Sequence, residues 1–176
     1  RLRLLGLYHN LGDRLKTSYL GTYDWPGEKY RNHFLSDTLE ETDIPLSPQH
    51  HMAAGELRSG ANRKTVIDLS FGRLGHLSQE YVQGALAAAR TADILIFSHP
   101  WVFPLLENSI SPKQFVVYDS HNVEGYLRAQ LLDERNPVEA DLLRNVVDVE
   151  NRLGCRANLI FTCSGEDMHR FNRIYE

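Results

Sequence analysis

Cysteine is scarce in this chain. Cys155 and Cys163 are its two cysteines, too few for a disulfide framework, and no C-x-x-C pair offers a zinc or redox motif. Free thiols in a reducing cytosol are the simpler reading, which points to a cytoplasmic protein. No apolar run approaches the ~20 residues of a membrane span. The opening Arg1-Leu2-Arg3-Leu4-Leu5 is too short and too interrupted for a signal peptide. Basic charge is not in excess: the formal net charge is -4, and the clustered Lys and Arg of a nucleic-acid surface are missing. There is no P-loop, no G-x-G-x-x-G after a strand, no G-x-S-x-G elbow and no H-E-x-x-H spacing. These absences argue against P-loop nucleotide binding, dinucleotide binding, serine hydrolysis and zinc proteolysis. Internal repeats and low-complexity tracts are absent too.

What is present fits one domain. A chain of 176 residues with 42% hydrophobic content can bury a sizeable core. Residues 2–11 read as a helix from the spacing of Leu4, Leu5, Tyr8 and Leu11, with a strand over 2–8 as the alternative. Residues 15–23 read as a strand that stops at Asp24-Trp25-Pro26-Gly27, a turn signal carrying a large aromatic. Residues 28–37 look polar and irregular, with Tyr30 and Phe34 as isolated anchors, and 38–46 as a short strand. A helix is expected over 50–58, with Met52, Ala53 and Leu57 on one side, then a strand over 64–70 centred on Val66 and Ile67. A glycine-punctuated loop at 71–77 leads to a helix over 79–90 capped by Ser78.

The carboxyl-terminal half alternates more clearly. Strands are expected over 93–98, 114–119 and 158–163, with a short helix or turn at 103–107 and a helix over 125–134. Asn136-Pro137-Val138-Glu139 reads as a cap, a first-turn proline and a third-position acid. Leu142, Val146, Val149 and Leu153 then follow at helical spacing. Ser164 caps a last helix with Met168, Phe171 and Ile174 on one face. Alternating strands and helices predict an α/β fold, a Rossmann-like doubly wound, mostly parallel sheet.

The chemistry-bearing residues gather at strand ends. The 93–98 strand delivers His99 and Trp101; the 114–119 strand delivers Asp119, His121 and Asn122; the 158–163 strand delivers Ser164 and an acidic helix start. Tyr23, Asp24 and Trp25 finish a fourth strand. In open parallel sheets ligands sit beyond the carboxyl ends of strands, so these residues are expected along one rim. Aromatic faces beside amide, acid and imidazole groups suit a sugar or another polyol. A competing reading has Asp119 and Ser120 capping the next helix with His121 solvated. A metal site of His99, His121 and Asp119 finds no supporting spacing. The pair His50-His51 is not a ligand set either, because neighbouring helical residues point apart.

The segment VVYDSHNVEGYLR, followed by a long helix and VENRLGCRANLIFTCSGEDMHRFNRIY, resembles the amino-terminal domain of GT-B-fold glycosyltransferases of the retaining, group 1 (family 4) kind. DILIFSHPW resembles the preceding family strand, whose terminal histidine lies near donor and acceptor. The resemblance spans roughly residues 93–176. It implies that residues 1–176 are one acceptor-side half of a two-domain enzyme, lacking the first strand and glycine-rich loop, with the nucleotide-sugar-binding half outside this chain. The fragment alone would then be inactive.

By position, His99 would lie at the reacting sugar as the catalytic residue. Asp119, His121 and Asn122 would line the acceptor side, joined by the aromatics Trp101, Tyr23 and Trp25 from the strand-end argument. Ser164 and Glu166 would form the interdomain rim. The expected partners are a nucleotide-sugar donor and a carbohydrate or glycolipid acceptor, with no metal, cofactor or nucleic acid. Arg1, Arg3 and Arg14 beside Leu4, Leu5 and Leu7 fit either a membrane-surface patch or a solvated helix face. A non-enzymatic sugar- or nucleotide-binding domain and a nucleotide-sugar epimerase are the alternatives.

Overall fold

The computed structural model describes residues 6–8, 11, 15–23 and 25–175. Its strands divide between two sheets. β1 (Thr17–Gly21), β2 (Arg31–Ser36) and β3 (Leu39–Asp43) form a mixed sheet of order β1-β3-β2, with β1 parallel and β2 antiparallel to β3. β4 (Ile94–Phe97), β5 (Phe115–Asp119) and β6 (Leu159–Phe161) form a parallel sheet of order β4-β5-β6. Helices α1 (Pro48–Gly60), α2 (Phe71–Leu74) and α3 (Gln79–Thr91) lie between β3 and β4. α4 (Phe103–Leu106) leads into β5; α5 (Glu124–Leu131) and α6 (Pro137–Arg156) connect β5 to β6; α7 (Gly165–Tyr175) follows. The chain is α/β, and its parallel sheet with helical crossovers is compatible with a Rossmann-like fold.

The core forms where the two periodicities meet. On α6, Leu142, Val146, Val149 and Leu153 are all at most 3% exposed, as their spacing predicts. Asn136 caps that helix, its side chain accepting from Val138 N and Glu139 N. Facing inward from the sheet are Leu95 and Phe97 of β4 with Val116 and Tyr118 of β5. Phe97 meets Phe103 edge to face at 5.5 Å. Of the alternate residues, Ile94, Ile96, Phe115, Leu159 and Phe161 remain 39–48% exposed, while Val117 between them is buried.

Several expectations need correction. Residues 64–70 form no strand. Ser70 N bonds to Val66 O and Phe71 N to Asp68 O, so local turns use the backbone groups a ladder would need. Val66 and Leu69 are still buried, so the segment contributes to the core as a folded turn. Residues 31–36 are the strand β2 instead of irregular chain, and Tyr30 and Phe34 anchor nothing, being 60% and 78% exposed. Both faces of β2 are open, so no apolar alternation marked it.

On α1 the buried residues are His50 and Ala54, whereas Met52 is 69% exposed. The stretch 71–77 is helical, as α2 and a 3-10 turn over Gly75–Leu77. Ser78 stands at the N-cap position of α3 as expected, but its side chain makes no capping bond. Its hydroxyl accepts from Ser47 N at 3.0 Å and bonds His50 Nδ1 at 3.1 Å, fastening α1 to α3. On α7, Phe171 is buried, but Met168 and Ile174 are 46% and 39% exposed.

Residues 6–8 are helical; most of the helix expected over 2–11 lies outside the described residues, as do Arg1, Arg3, Leu4, Leu5, Arg14 and Asp24. Leu7 is 47% exposed. Among the described residues no helix is long and apolar enough to cross a membrane.

Candidate functional site

β4 and β5 run parallel in register, with Phe97 opposite Tyr118, so the residues that follow leave the sheet side by side. After β4, His99 stays extended (φ -147, ψ 155), and Pro100 then opens a 3-10 turn that carries Trp101. After β5, Ser120 Oγ donates to Asn122 O at 2.6 Å and tightens the loop holding His121. The two imidazoles meet with ring centroids 4.6 Å apart and planes at 67°. Trp101 lies parallel to the His99 ring within 9°, centroids 6.4 Å apart, and is itself largely buried. Of the expected rim, the structure therefore brings together His99, Trp101, Asp119, His121 and Asn122.

Each imidazole faces a buried carboxylate. His99 Nδ1 is 3.6 Å from Glu124 Oε1, and His121 Nε2 is 3.9 Å from Asp119 Oδ2. Asp119 also accepts from the Tyr8 hydroxyl at 3.2 Å. Glu124 is 2% exposed. Burial alone would push its carboxyl up, but the His99 imidazole, the Arg128 charge and the Asn122 amide outweigh it and hold the carboxyl below its ordinary range. Arg128 ties the floor together. It pairs with Glu124 Oε2 at 3.3 Å and Asp68 Oδ2 at 2.7 Å, and its guanidinium carbon stands 5.5 Å from the Trp101 ring centroid.

The helix ends behind the rim are already occupied. Glu150 of α6 accepts from Glu124 N at 2.8 Å and Gly125 N at 2.7 Å, closing the amino terminus of α5. It also receives the Tyr118 hydroxyl at 2.8 Å and the Tyr175 hydroxyl, joining β5, α5, α6 and α7 at one group. Burial pushes the Glu150 carboxyl up, against the lowering effect of those donors. At α7, Ser164 Oγ accepts from Asp167 N at 3.0 Å, and Glu166 pairs with Arg170. Ser164 lies beside the β5 loop, since Cys163 Sγ is 3.7 Å from Ser120 O. Diphosphates favour helix amino termini with free N–H groups. Here Glu150 takes two such N–H groups at α5, and Ser164 takes one at α7.

Tyr23 and Trp25 are placed elsewhere. They follow β1, which belongs to the mixed sheet, so the rule that aligns the ends of β4, β5 and β6 does not extend to them. They form their own cluster with Arg31, Glu28 and Asp43. Among the described residues no group of three or more His, Cys, Asp or Glu is arranged to hold a metal ion.

Sequence reasoning gave no role to Glu124, Arg128, Asp68 or Glu150. Signals existed for three of them. Glu124 and Arg128 have the i,i+4 spacing of a helical ion pair. Glu150 is, with Glu139, one of two acids among the otherwise apolar buried residues of α6. Comparison with protein-family models, curated proteins and solved structures returns no match for this chain.

Proposed function

We propose that the chain is the acceptor-side half of a retaining glycosyltransferase of the GT-B kind, moving a sugar from a nucleotide-sugar to an acceptor hydroxyl. The observation that carries this reading is the imidazole pair, 4.6 Å apart at the carboxyl edge of a parallel sheet, with an aromatic ring behind it and a buried carboxylate behind each ring.

The chemistry follows from those pairings. A ring nitrogen facing a buried carboxylate keeps its proton on that side, which leaves the other nitrogen as an acceptor. For His99, whose Nδ1 faces Glu124, the nitrogen left is Nε2, which can orient a sugar hydroxyl by taking its hydrogen bond, with the His121 ring beside it. Trp101 supplies an apolar backing and Asn122 an amide. His99 in this scheme positions and polarises hydroxyls. The donor's diphosphate is assigned to a second α/β half, in keeping with Glu150 already taking two amino-terminal N–H groups of α5. Positioning and stabilisation of the departing phosphate then supply most of the rate. No metal or cofactor enters the scheme.

The test has two arms. In protein carrying both halves, His99→Ala should lower sugar transfer by roughly 100-fold, the scale of lost positioning, while the melting temperature holds. Unchanged turnover, or a loss matched by unfolding, sinks the reading. With residues 1–176 alone, titration with UDP-glucose and GDP-mannose should show no binding at the rim. Tight nucleotide binding abolished by His99→Ala would move the donor to this half.

A further inference from the structure

The cluster around Trp25 is built by local sequence. Gly27 has φ +88, the value of the third position of a type II turn, with Pro26 before it. That turn makes Trp25 and Glu28 its first and fourth residues. The Trp25 indole Nε1 donates to Glu28 Oε1 at 2.5 Å, and the other carboxylate oxygen accepts from Arg31 at 2.7 Å. Arg31 lies over the Tyr23 ring at 5.4 Å, and the Tyr23 hydroxyl donates to Asp43 Oδ2 at 2.9 Å. At Gly21 a Cβ would stand 2.8 Å from Asp43 Oδ1 and 2.9 Å from the Tyr19 ring, so only glycine lets Asp43 lie against β1. The Tyr23 and Trp25 rings end 5.9 Å apart at 45°.

The core does not need this arrangement. Trp25 is 56% exposed, yet its ring is held by a charged side chain that is itself held. Ordering a large side chain costs entropy, and here little apolar burial offsets it. An exposed aromatic ring fixed in place with carboxylates and a guanidinium at its margin matches a sugar ring, which has a C–H face and a girdle of hydroxyls. Anionic ligands fit poorly. Glu28 and Asp43 in the cluster set two carboxylates against the guanidinium of Arg31. The same acids disfavour a nucleic acid or an anionic bilayer.

We infer that Trp25, Tyr23, Glu28, Arg31 and Asp43 form a platform that binds a neutral saccharide, stacked on Trp25 and hydrogen-bonded at its hydroxyls by Glu28 and Arg31. This does not rest on the transferase reading, since a saccharide would stack here whatever the histidine rim accepts. The platform gives the mixed sheet a role in capturing glycan.

The chain has two tryptophans, so its nitrogen-15 spectrum carries two indole signals, and Trp25→Ala identifies one by its loss. The protein is titrated with cellotetraose, maltotetraose and mannotetraose. At least one should shift the Trp25 signal saturably. Saturation transfer to that sugar should vanish in Trp25→Ala, survive in His99→Ala, and weaken several-fold in Glu28→Gln, which keeps the ring but loosens it. Three results overturn the platform: no shift of the Trp25 signal with any of the three, binding undiminished in Trp25→Ala, or a Trp25 shift that follows protein dilution alone and marks self-association. None of them touches the rim, whose failure is read from sugar transfer.

Discussion

His50 and Glu150 are both 0% exposed, and each meets the cost of burial differently. His50 stays neutral. Burial, with the charges of His51 and His76 adding, lowers its pKa from 6.5 to about 4. The unfolded chain therefore binds a proton more readily than the folded one between those values, and stability falls as pH drops from 6.5 toward 4. Urea midpoints measured at pH 7 and pH 5 should show that loss, and His50→Gln should flatten it; an unchanged slope in the variant would refute the assignment. Glu150 instead collects four donors. In Glu150→Gln one backbone N–H, of Glu124 or Gly125, meets an amide that cannot accept. The expected cost is about 1–3 kcal/mol, with faster hydrogen exchange at Glu124 or Gly125. Equal stability and exchange would show that the carboxylate is dispensable.

At the scale of elements, α6 was the most legible part of the chain. Its cap, its proline and its apolar stripe all agree, and the stripe is what covers the inner face of the parallel sheet. Leu153→Ala should cost about 2–5 kcal/mol in chemical denaturation. Leu131, half exposed on α5, should cost under about 0.5 kcal/mol when replaced by alanine. Similar losses at both sites would contradict the packing. Elements without a one-sided apolar pattern were misread. β2 has two wet faces and so no alternation to see. Residues 64–70 have β-branched composition, but Ser70 and Asp68 capture nearby backbone groups and turn the chain.

For the whole molecule, the division of strands into two sheets separates two candidate sites, the histidine rim and the Trp25 platform. Parallel sheets are normally covered on both faces. Among the described residues, Ile94, Ile96, Phe115, Leu159 and Phe161 on one face of β4-β5-β6 are 39–48% exposed around a buried Val117. Residues 1–176 alone should therefore bind a hydrophobic dye, and the pair of substitutions Ile96→Thr and Phe161→Thr should reduce dye binding without lowering the melting temperature. Undiminished binding would place the exposed apolar surface elsewhere. The sequence by itself determined the three strands, expected over 93–98, 114–119 and 158–163 and found over 94–97, 115–119 and 159–161, the long helix between the last two, and the side chains delivered at their ends, because spacing and caps act over a few residues. Only the tertiary structure decided that β1 stands in another sheet, that Glu124 and Asp119 back the two imidazoles, and that Glu150 closes a helix terminus a phosphate could otherwise use. Those outcomes depend on which distant segments meet, and side-chain periodicity along the chain carries no record of its partner.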